Sequence, residues 1–179
     1  MNNSNGGLIA KELPKSHLPR LNILMKAPNW VQDVFEHYLI CEFTSIDNGK
    51  PVTFPLLYFY ENNPPKFAVT SSILFSRKIE HMKKNPKVSL LFSNPEGSGI
   101  EKHVVLVQGA AKCDDSDLDH GWERYLPMWR KKEPYIDGFL AAREQFAWFW
   151  KRIVVEVEPK KILAWKNGDT CKPAETIRL

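Results

Sequence analysis

A chain of 179 residues, 43% hydrophobic and 26% charged, has the composition of one ordinary globular domain with a sizeable core. Its formal charge of +4 is mild, and the basic pairs Lys83-Lys84, Lys131-Lys132 and Lys160-Lys161 are scattered, unlike the dense basic stripe of a nucleic-acid binder. Three cysteines with no CxxC pair argue against a disulfide framework or a structural zinc site, and no apolar run approaches the ~18 residues that span a bilayer. With a polar start and no signal pattern, the expectation is a cytoplasmic protein without membrane or nucleic-acid partners.

Residues 1–25 are rich in Asn, Ser, Gly and Pro and are expected to form a loose arm before a domain over residues 26–179. Pro28-Asn29-Trp30 opens a short helix with Val31, Val34, Phe35 and Tyr38 on one face. Strands follow over Leu39–Ser45 and Pro51–Tyr60, joined by the hairpin signal Asp47-Asn48-Gly49-Lys50. Glu61 to Pro65 is a second turn and Lys66–Thr70 a third strand. Ser76–Asn85 reads as a helix capped by Ser76, packing through Ile79, Met82 and Lys83 with His81 on the surface, and Pro86 ends it. The apolar run Lys87–Ser93 predicts a strand buried on both faces, and His103–Ala111 predicts the fifth strand.

Asp114 to Asp119 is an acidic cluster suited to a helix start, ahead of helical stretches over Leu118–Trp129 and Tyr135–Phe146. Phe149–Val157 reads as the last long strand, Pro159-Lys160-Lys161 as a turn and Ile162–Trp165 as a short final strand. The fold class expected is mainly β with helices (α+β): a barrel of hairpins with a helical excursion after the fifth or sixth strand. No βαβ alternation or GxGxxG occurs, which excludes a Rossmann domain.

Thr70-Ser71-Ser72 and then Ser76-Arg77-Lys78 put hydroxyls and two cations at a strand-to-helix junction. That chemistry suits a phosphomonoester, although a capped helix with solvated cations would look the same in sequence. The histidines 17, 37, 81, 103 and 120 form no HxH or HExxH pattern, so no metal site is expected. His103, at a strand start, is a candidate donor to a bound ring. The rings from Trp122 to Trp150 are expected mostly in the core rather than around a substrate.

Phe67-Ala68-Val69-Thr70-Ser71-Ser72, Ser76-Arg77-Lys78 and Asn85-Pro86-Lys87-Val88-Ser89-Leu90-Leu91-Phe92 together resemble the pyridoxamine 5'-phosphate oxidase superfamily of FMN-binding split barrels. Asp47 to Pro55, Val104–Gly109, Phe149-Trp150 and Ile162–Trp165 are similar to other parts of that family. The resemblance implies FMN as cofactor, gripped at its phosphate by Arg77 and Lys78 with Ser76, Thr70, Ser71 and Val69 around them. It implies that the strand carrying Thr53, Phe54, Pro55 and Leu56 faces the flavin ring. Val104 or His103 would stand where oxidases have a flavin-contacting Gln, and Trp165 would reach the flavin of a partner subunit. A homodimer with FMN at its interface and a small-molecule substrate follow from the same resemblance.

The sequence also departs from the oxidases. Phe54 to Phe59 lacks their strand Arg and Lys, the tail Asn167-Gly168-Asp169-Thr170-Cys171 replaces their Arg-Leu-His-Asp-Arg, and Tyr125 and Arg130 match their substrate-phosphate residues only loosely. The expected function is therefore that of a flavoprotein, an oxidoreductase on some other small organic substrate. A non-catalytic flavin-binding protein, or a heme- or deazaflavin-binding relative, is the alternative.

Overall fold

The structure, a computed structural model, describes residues 27–75 and 77–178. The proposed arm over residues 1–25 and the capping Ser76 lie outside the described residues. Seven antiparallel strands follow the order β3-β2-β1-β4-β5-β6-β7, and β3 also pairs with β6. The strands are β1 (Ile40–Asp47), β2 (Lys50–Asn62), β3 (Pro65–Ser72), β4 (Lys87–Phe92), β5 (Val104–Asp114), β6 (Arg152–Trp165) and β7 (Glu175–Arg178). The β3–β6 pairing closes six strands into a barrel, and β7 lies along the outer part of β6. This is an α+β split barrel, as expected.

Local chemistry sets the hairpins. At the β1–β2 turn Asn48 (φ 49°) and Gly49 (φ 81°) are both left-handed, the geometry that matches the twist of two strands joined by two residues. In β1 Cys41, Phe43 and Ser45 point inward, and the pairing Phe43↔Phe54 puts Phe54 and Leu56 on the same face. Thr53 and Pro55 face out, and Thr44 and Thr53 share a 2.9 Å hydrogen bond across the exposed face.

Two apolar cores result. One fills the barrel, and helix α1 (Asn29–His37) and helix α2 (Arg77–Lys84) contribute Val31, Val34, Phe35, Ile79 and Met82 to it. The Tyr38 hydroxyl accepts from His103 N–H at 2.8 Å and donates to its carbonyl at 3.1 Å, fastening α1 to the start of β5. The second core lies outside the barrel, between Phe59, Ala68 and Val154 on the strands and Trp122, Tyr125, Trp129, Ile136 and Trp150 of the helical excursion. That layer buries β3 and β6 on both faces.

Several expectations change. β4 alternates rather than being buried twice, because the helical layer does not reach its outer face. His81 is buried, its Nδ1 3.3 Å from Ser45 Oγ and its Nε2 3.5 Å from Asp47, whereas Lys83 is exposed and pairs with Asp115. Phe149-Trp150 ends the short helix α5 (Ala147–Trp150), and β6 runs unbroken through Pro159-Lys160-Lys161. The extra residue there is taken up by a register shift against Gln108/Gly109, a bulge rather than a turn. The first helical stretch is turns and a 3-10 segment before helix α3 (Leu126–Lys132). The second breaks into helix α4 (Ile136–Ala141) and a 3-10 piece, Arg143–Phe146. The acidic cluster opens no helix: Asp117 Oδ1 accepts from the N–H groups of Asp119 and His120, and Asp119 pairs with Lys151.

Candidate functional site

The barrel is incompletely zipped on one side. β2 pairs with β3 only from Tyr58 to Asn62, while Thr70, Ser71 and Ser72 of β3 turn to β6. Residues 50–57 of β2 therefore have β1 as their one sheet partner among the described residues. An unpaired strand edge presents alternating N–H and C=O groups to whatever enters the split. Only alternate residues of such a strand turn both backbone groups to the free edge, either Phe54 and Leu56 or Thr53 and Pro55, and Pro55 has only a carbonyl to offer.

Two cations meet at the mouth of this split. Lys78, on the first turn of α2, is buried; its ammonium donates to the Phe75 carbonyl at 3.1 Å and lies 5.5 Å from the centre of the Phe54 ring. Arg152, the first residue of β6, is also buried. Its Nε donates to Thr70 Oγ1 at 3.0 Å and its Nη2 to the Thr70 carbonyl at 3.2 Å. The guanidinium lies against the rings of Trp129 and Phe149, with centroid distances of 5.0 and 4.7 Å. Among the described residues no carboxylate pairs with either cation.

Burial pulls both groups toward their neutral forms. It lowers the pKa of Arg152 to about 10. For Lys78 burial is the larger cause of a lowered value and the neighbouring Arg152 charge the second. At about 10, Arg152 remains cationic at neutral pH. Two buried like charges are costly without a counter-ion, so the arrangement favours a dianionic group such as a phosphomonoester placed between them. Arg77 stands exposed beside them at the start of α2.

The expected residues thus fall into two groups. Phe54, Leu56, Val69, Thr70, Ser71, Arg77 and Lys78 line or support the split, although Val69 points into the barrel core, while the side chains of Thr53 and Pro55 face outward. Val104 and Trp165 pair with each other at the opposite end of the barrel. Trp165 lies thirteen residues along β6 from Arg152, an extended path of roughly 40 Å. His103 is buried there, its Nδ1 accepting from Asn167 N–H at 3.0 Å and its ring 4.9 Å from Trp30. Arg130 and Tyr125 are committed elsewhere, to Asp137 and Glu156. Arg152 was missed by sequence reasoning; a lone Arg heading an apolar strand, Arg152-Ile153-Val154-Val155, was the available signal.

No protein-family model matches the sequence, and no curated protein does. Solved structures do match. General stress protein 26 from Bacillus anthracis superposes with a TM-score of 0.53 at 18% identity, covering 84% of this chain and 97% of that one. A protein from Clostridium acetobutylicum related to general stress protein 26, of the pyridoxinephosphate oxidase family, gives 0.59 at 14%, covering 84% and 93%. A FAD-binding protein from Mesorhizobium loti gives 0.50 at 18%, covering 75% and 88%. At these identities the likeness is one of fold: the chain has the split-barrel fold of pyridoxamine 5'-phosphate oxidase-like structures.

Proposed function

We propose that this protein binds FMN in the split between β2 and β3 and acts as an FMN-dependent oxidoreductase on a small organic substrate. The observation that carries the reading is the pair of buried cations, Lys78 and Arg152, without a carboxylate at the open edge of β2. The residues fit the cofactor. Arg152, Lys78 and Arg77, with the Thr70 and Ser71 hydroxyls, would hold the phosphate. The free edge of β2 from Thr53 to Leu56 offers the hydrogen bonds that the polar rim of a flavin ring needs, and Phe54 offers an apolar face. The printed names of similar structures, one in the pyridoxinephosphate oxidase family and one FAD-binding, support a flavin rather than another anion.

FMN, when bound, supplies the electron-carrying ring; the protein supplies position and electrostatics. Arg152 and Lys78 anchor the phosphate end, which holds the ring at a set distance along β2. Burial of both cations keeps water from screening that grip. Val104 and Trp165 lie too far away in one protomer to share this site, so their expected contact belongs to a homodimer in which a second copy brings them to the flavin.

The test is cofactor titration followed by visible absorption and flavin fluorescence. FMN should bind, riboflavin should bind at least about tenfold more weakly for want of the phosphate, and Arg77→Ala with Lys78→Ala should narrow the difference. Equal binding of FMN and riboflavin, or of neither, overturns the cofactor. Binding without electron transfer from reduced nicotinamides to any acceptor overturns the oxidoreductase part and leaves a flavin-binding protein.

A further inference from the structure

Arg152 is fixed at both ends. Its backbone N–H donates to the Leu118 carbonyl at 2.8 Å, and its position pairs with Ser72 where β6 closes on β3. At the head of the side chain, three of the five N–H groups of a guanidinium have protein acceptors. Nε and Nη2 donate to the hydroxyl and the carbonyl of Thr70, and Nη1 donates to the Phe149 carbonyl at 3.4 Å. Among the described residues nothing accepts from the second N–H of Nη1 or the second N–H of Nη2, so two donors on one planar group remain.

Phe149 supplies more than that carbonyl. Its ring centre lies 4.7 Å from the guanidinium carbon, nearer than the Trp129 ring at 5.0 Å. Phe149 is half-buried in α5, and its ring meets those of Trp148 and Trp150 edge-on, with centroids 6.2 and 5.2 Å away. An aromatic ring attracts a cation, and a guanidinium stacks on it more readily than an ammonium does. Trp129 is part of the second core, whereas Phe149 only packs against it. The Phe149 ring can therefore be changed with less disturbance to the fold.

We propose that Phe149 is a positioning residue for the phosphate: its ring and carbonyl hold the Arg152 guanidinium so that the two remaining N–H groups meet the phosphate oxygens as a preset fork. The inference rests on the reading of the split as a phosphate site.

The hold opposes a repulsion. The Arg152 charge is close enough to Lys78 to help lower its pKa, so a loosely held guanidinium would turn away from Lys78 toward water. Acceptors and rings of the protein keep it in place before a ligand arrives, and the cost of ordering it is met in folding rather than in binding. A two-pronged contact from a fixed planar group is stronger and more directional than one from a single charged donor. Phe149 acts through Arg152 in this arrangement, so its ring should matter only where Arg152 is present.

The experiment measures the FMN and riboflavin affinities of the full chain and takes their ratio, which separates the phosphate from the shared ring. Phe149→Leu, which keeps an apolar side chain without a ring, should lower the ratio by about fivefold, in the range of a cation–ring contact. Phe149→Tyr, which keeps the ring, should preserve it. With Arg152→Met in place, Phe149→Leu should change nothing further. Nitrogen–proton NMR of the flavin-free protein adds a second readout. The Arg152 Nε–H should be protected from exchange in the wild type and in Phe149→Tyr, and should exchange faster in Phe149→Leu. Equal wild-type affinities for FMN and riboflavin overturn the phosphate reading and this inference with it. A wild-type preference for FMN that Phe149→Leu preserves, or lowers equally with Arg152→Met in place, overturns the role of Phe149 and leaves the phosphate reading standing. Rapid exchange of the Arg152 Nε–H in the wild type does the same, and decides alone if Phe149→Leu does not fold.

Discussion

Arg152 is held by a threonine and two aromatic faces instead of a carboxylate, and a guanidinium kept in that way is a group placed for something other than stability. Removing a desolvated charge and leaving an apolar chain of similar length often costs nothing and can stabilise. Arg152→Met should therefore leave the urea midpoint unchanged or raise it, while FMN affinity falls by about tenfold or more, the loss expected for a charged hydrogen bond. A fall in both together would make Arg152 a structural residue. Lys132 makes a different prediction. Its folded pKa, near 7, lies below its ordinary value of 10.5, so above pH 7 the unfolded chain binds the extra proton and stability rises with pH. Stability measured by urea unfolding should climb from pH 7 to 8.5, below the range where the Cys41 thiol of the unfolded chain begins to reverse the trend, and Lys132→Met should flatten the climb. At this scale the sequence was half legible. Lys78 follows from its strand-to-helix position, but the burial of His81 and the isolation of Arg152 depend on residues far away in the chain.

At the level of elements, the turns were readable because a few residues dictate them. Asn48-Gly49 takes the left-handed conformations that a tight hairpin demands. The bulge in β6 was not readable, because Pro159-Lys160-Lys161 has turn composition yet lies in a strand whose ladder is set by β5. At the register shift a Cβ on Gly109 would come 2.5 Å from the Glu158 carbonyl oxygen and 2.9 Å from Val157. Gly109→Ala should destabilise by about 1–3 kcal/mol through overpacking against backbone. Gly138 in α4 has open space around the same position, so Gly138→Ala should stabilise by up to about 1 kcal/mol through helix propensity. Thermal melts of the two variants give the comparison, and a neutral Gly109→Ala would show that the strands yield at the bulge.

For the whole molecule, the question is what covers its remaining aromatic surface. The segment Ile73–Phe75 and the stretch leading into α5 are fastened by Ser72 Oγ donating to the Trp148 carbonyl at 3.3 Å and Ile73 N–H donating to the Lys151 carbonyl at 3.0 Å. They leave Leu74, Phe75, Phe146 and Trp148 largely exposed beside the cation pair. Large apolar side chains gathered in this way mark an interaction surface, and the proposed homodimer would cover it with a second copy of the chain. Light scattering should report a dimer, and Phe75→Ser with Trp148→Ser should weaken both association and FMN binding. A monomer that binds FMN with full affinity would remove the second copy from the site.

What the sequence determined by itself is what neighbours along the chain decide: the inward face of α1, the alternation of β1, the hairpin turns and the placing of Arg77 and Lys78 after β3. These follow from periodicity and turn chemistry, which act over a few residues. Only the tertiary structure decided the rest. The β3–β6 closure, the split that frees the edge of β2 and the Thr70–Arg152 contact join residues some eighty positions apart. The second core buries β3 and β6 on both faces but leaves β4 covered on one. These features depend on which surfaces meet, and a local pattern carries no record of that.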